Sequence, residues 1–509
     1  MELRKRHGSL RIRYMNDTRI CFHCEAVLRS SWEDEKTSNV SANIEVSSKS
    51  DGCEQLRRQK IGENLEFLPD KKICESRKEG INIIFEGNYK VPGAVKRLPK
   101  ADYDVDANKI KLLTTQSQYL PNVVRYYGME CDDDQECFYL VTEQQNWGTT
   151  FNLDELIKTD LAINTNSFEA VTEDGLSSTS VAVLDDRLEA VKNIVGDFNL
   201  IPENGGRIPD LSYTLLREVL YGLVQLNDIM EISHGELKPE NILIIKKESS
   251  WRVRLSDIDI SKKPPTKSYN KSYSYLSGFI PARNDRGIQI GVDDMYAFGK
   301  LFSYCITGRS EFGDWRTVTN KRGSSLLNYP EAYQLYCCLS SRNPAESLTA
   351  KEALHHPHFW DPEKKLAFLR DSYNKVYEFE HSTGLLKELD SISWKVIEGK
   401  WKGENVKTWN KRIDGEIVDY AEDQLRKYSN PDSTYKYKSF PELLRFIRHM
   451  FVHYGRHPQN IQKSIGSLYK GFYDYFESKF PNLLIEVYKA VKKWCGKDEY
   501  FCRYFQDHN

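Results

Sequence analysis

The sequence predicts an α+β chain with a sheet-rich first lobe and a helical second lobe, followed by a further all-α region. Three observations carry this. Between residues 81 and 144, β-branched and aromatic runs stand between turn residues: "INIIFEG" (81–87), "GAVKRL" (93–98), "VVRYYGME" (123–130) and "CFYLVTEQ" (137–144). Runs of this kind read as strands of a small, mostly antiparallel sheet. In "YTLLREVLYGLVQLNDIM" (213–230), Leu216, Val219, Leu220, Leu223 and Val224 recur at helical spacing. Helical patterns then dominate through "DMYAFGKLFSYCITG" (294–308), "LTAKEALHHPHF" (348–359), "PELLRFIRHMFVHYG" (441–455) and "NLLIEVYKAVKKWCG" (482–496).

The remaining segments are read by composition. Residues 1–60 are rich in Arg, Lys, Ser and Glu with little periodicity, and are expected to be disordered. "FNLDELIK" opens a helix, and the Ser/Thr/Asn/Asp/Gly-rich stretch 159–212 reads as a long insert loop. The 509 residues suffice for several domains, and apolar (39%) and charged (29%) contents are those of a globular protein. A net charge of −2 supplies no global field for nucleic acid or membrane, so an RNA site must be a local patch.

Eleven scattered cysteines suit reduced thiols, and Cys21 and Cys24 have no second pair at zinc spacing nearby. No apolar run resembles a signal peptide or a membrane span, so the chain as given is expected to be cytoplasmic.

The chemistry begins at "SHGELKPENILI" (233–244). It follows the H-R-D-x-K-P-x-N catalytic loop of protein kinases, with Gly235 in place of Arg and Glu236 in place of the base Asp. Phosphoryl transfer needs parts that position ATP, hold Mg²⁺ and orient the hydroxyl. Lys96 in "GAVKRL" is the phosphate lysine, Lys238 the loop lysine, and Asn241 and Asp257 (in "LSDIDISK") the Mg²⁺ ligands. Glu143 and Gln145, at the end of the last strand-like run, complete the nucleotide-binding candidates. Alone, each is more often a surface charge; the order and spacing together are specific.

The departures are as informative. "CESRKEGINIIFEG" (74–87) offers Gly80 and Gly87 but no G-x-G for close approach to phosphates. Glu236 is one methylene longer than Asp, and a misplacement of about 1 Å can cost ~10²-fold in rate. Asp259 replaces the Gly of D-F-G, and only "GFIPARN" (278–284) represents A-P-E. "DVDANKIKLL" (104–113) places Lys109 where a Glu should pair with the phosphate lysine, so repulsion is expected there. These changes predict impaired phosphotransfer with nucleotide binding retained.

Four stretches, "LSDIDISK", "DMYAFGKLFSYCITG", "HPHFWDPEKKLAFLRD" and the helical run from "PELLRFIRHMFVHYGRHPQNIQ" to "GFYDYFESKFPNLLIEVYKAVKKW", together resemble the cytosolic half of the inositol-requiring-enzyme family. These are the kinase/endoribonucleases of the unfolded protein response; their kinase-extension nuclease domain is shared with ribonuclease L. The long insert and "LLIEVYK" resemble the plant branch. The resemblance runs from about Lys60 to Phe505, dense after 290 and thin before 130. It implies a bilobal protein-kinase fold over 61–360 and an all-α nuclease domain over 361–509, joined rigidly at "HPHFW".

RNA carries its own nucleophile, the 2′-OH, so cleavage needs a base, an acid and a cation for the phosphorane. Carried over residue by residue, the family's roles fall on Tyr435, Arg448, His449 and His453, with no cofactor required for cleavage. His453 is the general acid, Tyr435 its partner across the site, and Arg448 the phosphate clamp. His449 stands where the family has Asn. Lys436, Lys438, Arg445, Arg448 and Arg456 supply the basic patch.

The plainer reading makes Leu443, Leu444, Ile447, Met450, Phe451 and Tyr454 a core stripe, with the basic residues on its solvated face. His449 and His453 could hold a metal, but no third ligand is evident.

The resemblance thus implies an endoribonuclease acting on stem-loop RNA, with an ATP- or ADP-binding, Mg²⁺-dependent kinase-like lobe as dimerisation scaffold. The alternatives are a catalytically dead regulator paired with an intact family member at the endoplasmic reticulum, and a weakly active Ser/Thr kinase.

Overall fold

In a computed structural model of the chain, the described residues run from 59 to 505, apart from 62–63, 75–83, 90, 133–136, 146–149, 166–177, 197, 204–206, 249, 262–290, 309–327, 341–346 and 379–382. The N-terminal segment through residue 58, with Cys21 and Cys24, lies outside them, as do Gly80 and the segment 278–284.

Six strands form one antiparallel sheet: β1 (Gln59–Ile61), β2 (Leu65–Cys74), β3 (Ile84–Tyr89), β4 (Pro92–Pro99), β5 (Tyr126–Asp132) and β6 (Cys137–Glu143), in the order β1-β2-β3-β4-β6-β5. The period-2 alternation of β4 sends Val95 into a small core with Leu65, Phe67, Phe85, Tyr139 and Val141. Lys96 pairs across the ladder with Ile84 on one side and Leu140 on the other. It therefore stands in the sheet interior, on the face opposite Val95. Gly87 lies inside β3, opposite Gly93.

Helix α1 (Ala107–Gln116) starts at Asp106, whose carboxylate accepts from the N–H groups of Asn108 (2.9 Å) and Lys109 (3.3 Å). A second sheet joins β7 (Thr150–Asn152), β8 (Ile242–Lys247) and β9 (Ser250–Leu255).

The insert is not the loop that its composition suggests. Helix α2 (Leu153–Thr165) extends into it, and α3 (Ser178–Val195) lies within it. Leu156, Ile157, Leu161 and Ala162 are buried, as are Leu188, Val191 and Val195. The i, i+3/i+4 spacing of these few apolar positions outweighs the polar residues between them.

Helices α4 (Asp210–Val224), α5 (Val292–Thr307), α6 (Pro330–Leu339) and α7 (Ala350–Leu354) complete this lobe. Leu216, Val219, Leu220 and Leu223 of α4 are fully buried, in a core shared with Leu255, Phe298 and Phe302.

The C-terminal region is helical: α8 (Pro362–Glu378), α9 (Thr383–Ser391), α10 (Ser393–Ile397), α11 (Gly415–Tyr428), α12 (Phe440–Val452), α13 (Gln459–Ile465), α14 (Lys470–Lys479), α15 (Leu483–Cys495) and α16 (Glu499–Phe505). One hairpin, β10 (Gly399–Trp401) with β11 (Glu404–Val406), interrupts it. Its core gathers Trp360, Phe368, Trp409, Tyr435, Phe446 and Tyr488.

The seam between the lobes is aromatic and charged. Trp360 meets Phe368 (5.1 Å) and Tyr488 (5.9 Å), while His358 packs on Tyr213 and Phe302 at 4.7 and 5.0 Å. Arg207 of the insert pairs with Asp474 and Glu477 of α14. Tyr473 reaches the buried Glu331 of α6 at 3.5 Å.

Candidate functional site

The kinase-type cleft is built where β4, the loop 233–241 and the segment after β9 converge. Lys96 Nζ stands 2.9 Å from Asp257 Oδ1. Burial alone would lower the Lys96 ammonium, but the carboxylates of Asp257 and Glu236 outweigh it and raise its pKa. Burial would likewise raise Asp257, and the Lys96 charge and hydrogen bond hold it down instead. Lys238 Nζ meets Glu236 Oε1 at 2.5 Å. Asn241 Nδ2 donates to the Glu236 carbonyl at 2.9 Å, which turns Oδ1 away from that bond. Asp257 has φ +55°, a strained value for a residue with a side chain.

The loop is anchored from below. Asp294 at the start of α5 accepts from the N–H groups of His234 (2.8 Å) and Gly235 (2.9 Å). His234 is fully buried, and burial lowers its pKa. Its Nδ1 accepts the Glu236 N–H at 3.3 Å.

The two loop substitutions meet in space. Gly235 has φ +78°, and a Cβ there would stand 2.8 Å from Asp259 Cβ. The Asp that replaces the usual Gly thus fills the room a side chain at 235 would need. Lys109 is also differently engaged than expected: its Nζ donates to the Asp259 carbonyl at 2.5 Å. The ion-pair partner of Lys96 comes from Asp257, not from α1.

Glu143 ends β6 with its carboxylate held by Arg254 and by the Arg125 N–H (2.9 Å). Gln145 follows it, half-buried. The donor set suits a Mg²⁺-nucleotide: two side-chain oxygens, from Asn241 and Asp257, leave the other positions to phosphates and water.

The second site is built on α12. Ser439 caps the helix by accepting the Glu442 N–H at 3.4 Å, and Pro441 sits in its first turn. Leu443, Leu444, Ile447 and Met450 are buried and fix the helix's rotation. That leaves Arg445, Arg448 and His449 half-buried along one face, with His453 at the C-cap. Trp409 packs against Tyr435 (5.8 Å) and Phe446 (4.9 Å), which brings Tyr435 to the helix.

Tyr435 Oη lies 2.9 Å from His449 Nδ1. The His449 ring meets the His453 ring edge-on at 5.4 Å. Tyr435, expected opposite His453, therefore has His449 as its direct partner. Burial pushes His449 down to about 4, with His453, His457 and two arginines adding to the effect, so its ring is neutral near pH 7. Burial also raises the Tyr435 phenol, which stays protonated.

Arg448 lies over the Tyr373 ring at 5.4 Å, and among the described residues no carboxylate pairs with it. Arg445 lies over Tyr435 at 5.7 Å and pairs with Glu442 at 3.4 Å. Lys436, Lys438 and Arg456 are exposed.

Three contributors escape sequence reasoning. His457 bridges Tyr420 Oη (3.2 Å) and the Met450 carbonyl (2.7 Å), tying down the end of α12. Trp409 supports Tyr435. Tyr373 supports Arg448, and only the i, i+4 pair Tyr373/Tyr377 on α8 hints at it.

A two-lobed kinase-type body fused to a helical domain with a Tyr/His/Arg site defines the class: a kinase-type chain with a nuclease-type extension. Residues 365–505 match the family described as ribonuclease 2-5A. The chain is similar to the serine/threonine-protein kinase/endoribonuclease IRE1a of Arabidopsis thaliana, at 32% identity over 86% of this chain and 50% of that protein. It is also similar to the inactive serine/threonine-protein kinase/endoribonuclease IRE1-like of the same plant, at 29% over 75% of this chain and 68% of that one. The sensor for unfolded proteins in the ER ire1 of Schizosaccharomyces pombe is 27% identical over 83% of this chain and 38% of that protein. Over most of its length the chain thus has homologues among the inositol-requiring-enzyme kinase/endoribonucleases, and its C-terminal part matches the ribonuclease 2-5A family. It spans about half the length of the Arabidopsis IRE1a that it matches. Among the described residues, no helix is long and apolar enough to cross a membrane.

Proposed function

We propose that this chain is an endoribonuclease that cuts stem-loop RNA, with the kinase-type lobe acting as a nucleotide-responsive dimerisation scaffold. The observation that carries the reading is the convergence of Tyr435, His449 and His453 beside Arg448 at the end of one helix.

The reaction follows from RNA chemistry. The 2′-oxygen attacks the adjacent phosphorus, the P–O5′ bond breaks, and the products are a 2′,3′-cyclic phosphate and a 5′-hydroxyl. Arg448 faces the charge that develops on the phosphorane. His453 delivers a proton to the departing O5′. The 2′-OH proton leaves toward the Tyr435–His449 pair: with Nδ1–H donated to the phenol oxygen, neutral His449 presents Nε2 as acceptor. A group pushed down to about 4 by burial is a weak base.

In the cleft, Lys96 would bind nucleotide phosphates, and Asn241 and Asp257 would hold the Mg²⁺. That ion supplies charge neutralisation of the phosphates when bound. Lys238 pairs with Glu236, the residue at the base position, which supports impaired phosphotransfer. Nucleotide binding would couple to RNA cleavage by favouring one dimer geometry. The name of one relative, a sensor for unfolded proteins in the ER, supports a role in such sensing. In this reading the chain acts as one subunit of a homodimer or beside an intact family member.

The test is cleavage of a stem-loop RNA by the purified chain with and without ADP·Mg²⁺, alongside His453→Ala. The expected result is a cyclic-phosphate product and a loss of about 10²–10⁴-fold in the variant. Equal rates for the two proteins would remove His453 as the acid.

A further inference from the structure

Helix α8 carries an aromatic pair of which Tyr373 supports Arg448 and Tyr377 has no role in the core or in the proposed chemistry. Tyr373 and Tyr377 stand one helical turn apart, with ring centroids 4.6 Å apart and planes within 27°. Tyr373 in turn underlies the Arg448 guanidinium at 5.4 Å. Tyr377 Oη donates to Glu442 Oε1 at 3.3 Å, and the same carboxylate group holds Arg445. The Tyr377 ring is thus fixed at both its edge and one face.

Yet Tyr377 is 45% exposed, in a helix whose neighbours Leu366, Phe368, Leu369 and Val376 are buried. One face lies on Tyr373 and the hydroxyl is tied, so the exposure falls on the rest of the side chain, which includes the ring's other face. Burial and Glu442 keep its phenol protonated, so it is a neutral π-surface one ring away from a cation. An exposed, oriented aromatic ring joined through Tyr373 to the proposed phosphate-binding arginine has the two features that single-stranded nucleic acid requires: a stacking platform and a backbone charge.

We infer that Tyr377 is a base-stacking platform that receives the unpaired ribonucleotide flanking the phosphate held by Arg448, with Tyr373 as the middle rung between them. The inference rests on the endoribonuclease reading. Tyr377 is here a positioning residue: it does not touch the reacting atoms. Stacking accepts any base, so it positions an unpaired loop nucleotide rather than reading its identity. Duplex RNA, whose bases are already stacked, gains nothing from it.

The experiment is a double-mutant cycle between protein and RNA. The full chain is titrated with a fluorescent stem-loop RNA carrying a 2′-deoxy nucleotide at the cleavage position, which blocks the reaction. A second series replaces each flanking nucleotide in turn by an abasic one. Tyr377→Ala is expected to lose about 10-fold in affinity for intact RNA. One abasic position should cost the wild type the same factor and cost Tyr377→Ala nothing more. Tyr377→Phe, which keeps the ring, should stay within a few-fold of wild type. With cleavable RNA, Tyr377→Ala should raise KM and leave kcat nearly unchanged.

Additive losses at every abasic position, or equal binding by Tyr377→Ala and wild type, would overturn the inference. So would a change in self-association of Tyr377→Ala by sedimentation without a base-dependent loss, which would make the ring a protein contact. A wild-type chain that neither binds nor cuts RNA fails differently: it removes the endoribonuclease reading and the platform with it.

Discussion

The kinase-type cleft and the end of α12 handle charge in opposite ways. In the cleft, charged groups are turned on each other: Lys96 on Asp257, Lys238 on Glu236, Lys109 on the Asp259 carbonyl. A phosphate entering there has to compete with Asp257 for Lys96. At α12, Arg448 leans on an aromatic ring and His453 caps a helix whose rotation is fixed by buried leucines. Among the described residues, no carboxylate has to be displaced from Arg448. A site whose neighbours are already locked is prepared for chemistry. A self-paired site is suited to a ligand-dependent rearrangement. The difference supports the proposed division, with the scaffold role in one region and the reaction in the other.

The sharpest way to break this contrast is to remove one cation from each region. Arg448→Ala should lower RNA cleavage by about 10²–10³-fold, the cost of losing one donor to a developing oxyanion. Its thermal unfolding should hardly change. Lys96→Ala should keep basal cleavage within a few-fold and lose the rise in Tm that ADP·Mg²⁺ gives the wild type. Similar losses of cleavage in both variants, measured under initial-rate conditions, would merge the two regions into one site.

The next effect tests whether the regions are joined through the seam. Burial raises the Glu331 carboxyl to about 7, with Glu477 adding to burial and Lys365 opposing it. The folded pKa lies above the unfolded one, so the folded state holds the proton more tightly. This stability is complete below the unfolded value near 4.5 and is lost as pH rises through 7. Denaturant unfolding should therefore weaken between pH 5 and 8 by a few kcal/mol at most, and Glu331→Gln should flatten this part of the profile. A profile unchanged by that substitution would remove Glu331 as the titrating group.

Much of the fold is legible in the sequence, and its failures have physical causes. The stripes of α4 and α12 are long and regular, so helix and buried face follow directly. The second half of α2 and all of α3 are hidden because few apolar residues, such as Leu188, Val191 and Val195, carry the burial among many Ser, Thr and Asp. Strand β2, "LEFLPDKKIC", is masked by a Pro and a Lys pair, and its pairing with β3 carries register shifts. In the sites, His449 and His453 share a face by spacing alone. The Tyr435–His449 contact depends on Trp409, a long-range packing partner that no local pattern announces. Gly235 and Asp259 read as two separate lesions in the sequence; only their contact makes them one feature.

That contact sets a third prediction, confined to the cleft. Gly235→Ala adds a Cβ at φ +78° and 2.8 Å from Asp259 Cβ. It should destabilise the chain by about 1–3 kcal/mol and weaken nucleotide binding, with RNA cleavage at α12 spared. Asp259→Gly in the same chain removes the collision but not the left-handed backbone, so it should restore part of the loss. No restoration would mean that backbone strain at 235 accounts for the whole cost. A parallel loss of RNA cleavage would mean that the loop and α12 respond as one.

The smallest effect belongs to His449, and it sharpens what the α12 site asks of its rings. Its folded pKa is depressed from the ordinary 6.5 to about 4, chiefly by burial. Folding therefore favours the neutral ring, and the stability tied to it is complete above 6.5 and lost as pH falls toward 4. Discounted for the ring's partial exposure, the wild type should lose about 1 kcal/mol between pH 7.5 and 5.5 from this group. His449→Asn should abolish that slope, because an amide does not titrate, while still offering Tyr435 a hydrogen-bonding partner. If Tyr435 and His449 act as the proton acceptor, the same substitution also removes the acidic limb that His449 gives the cleavage profile. A cleavage profile with the same acidic limb in both proteins would leave His449 as a support for Tyr435 alone, and would move the acceptor role to another group beside Arg448.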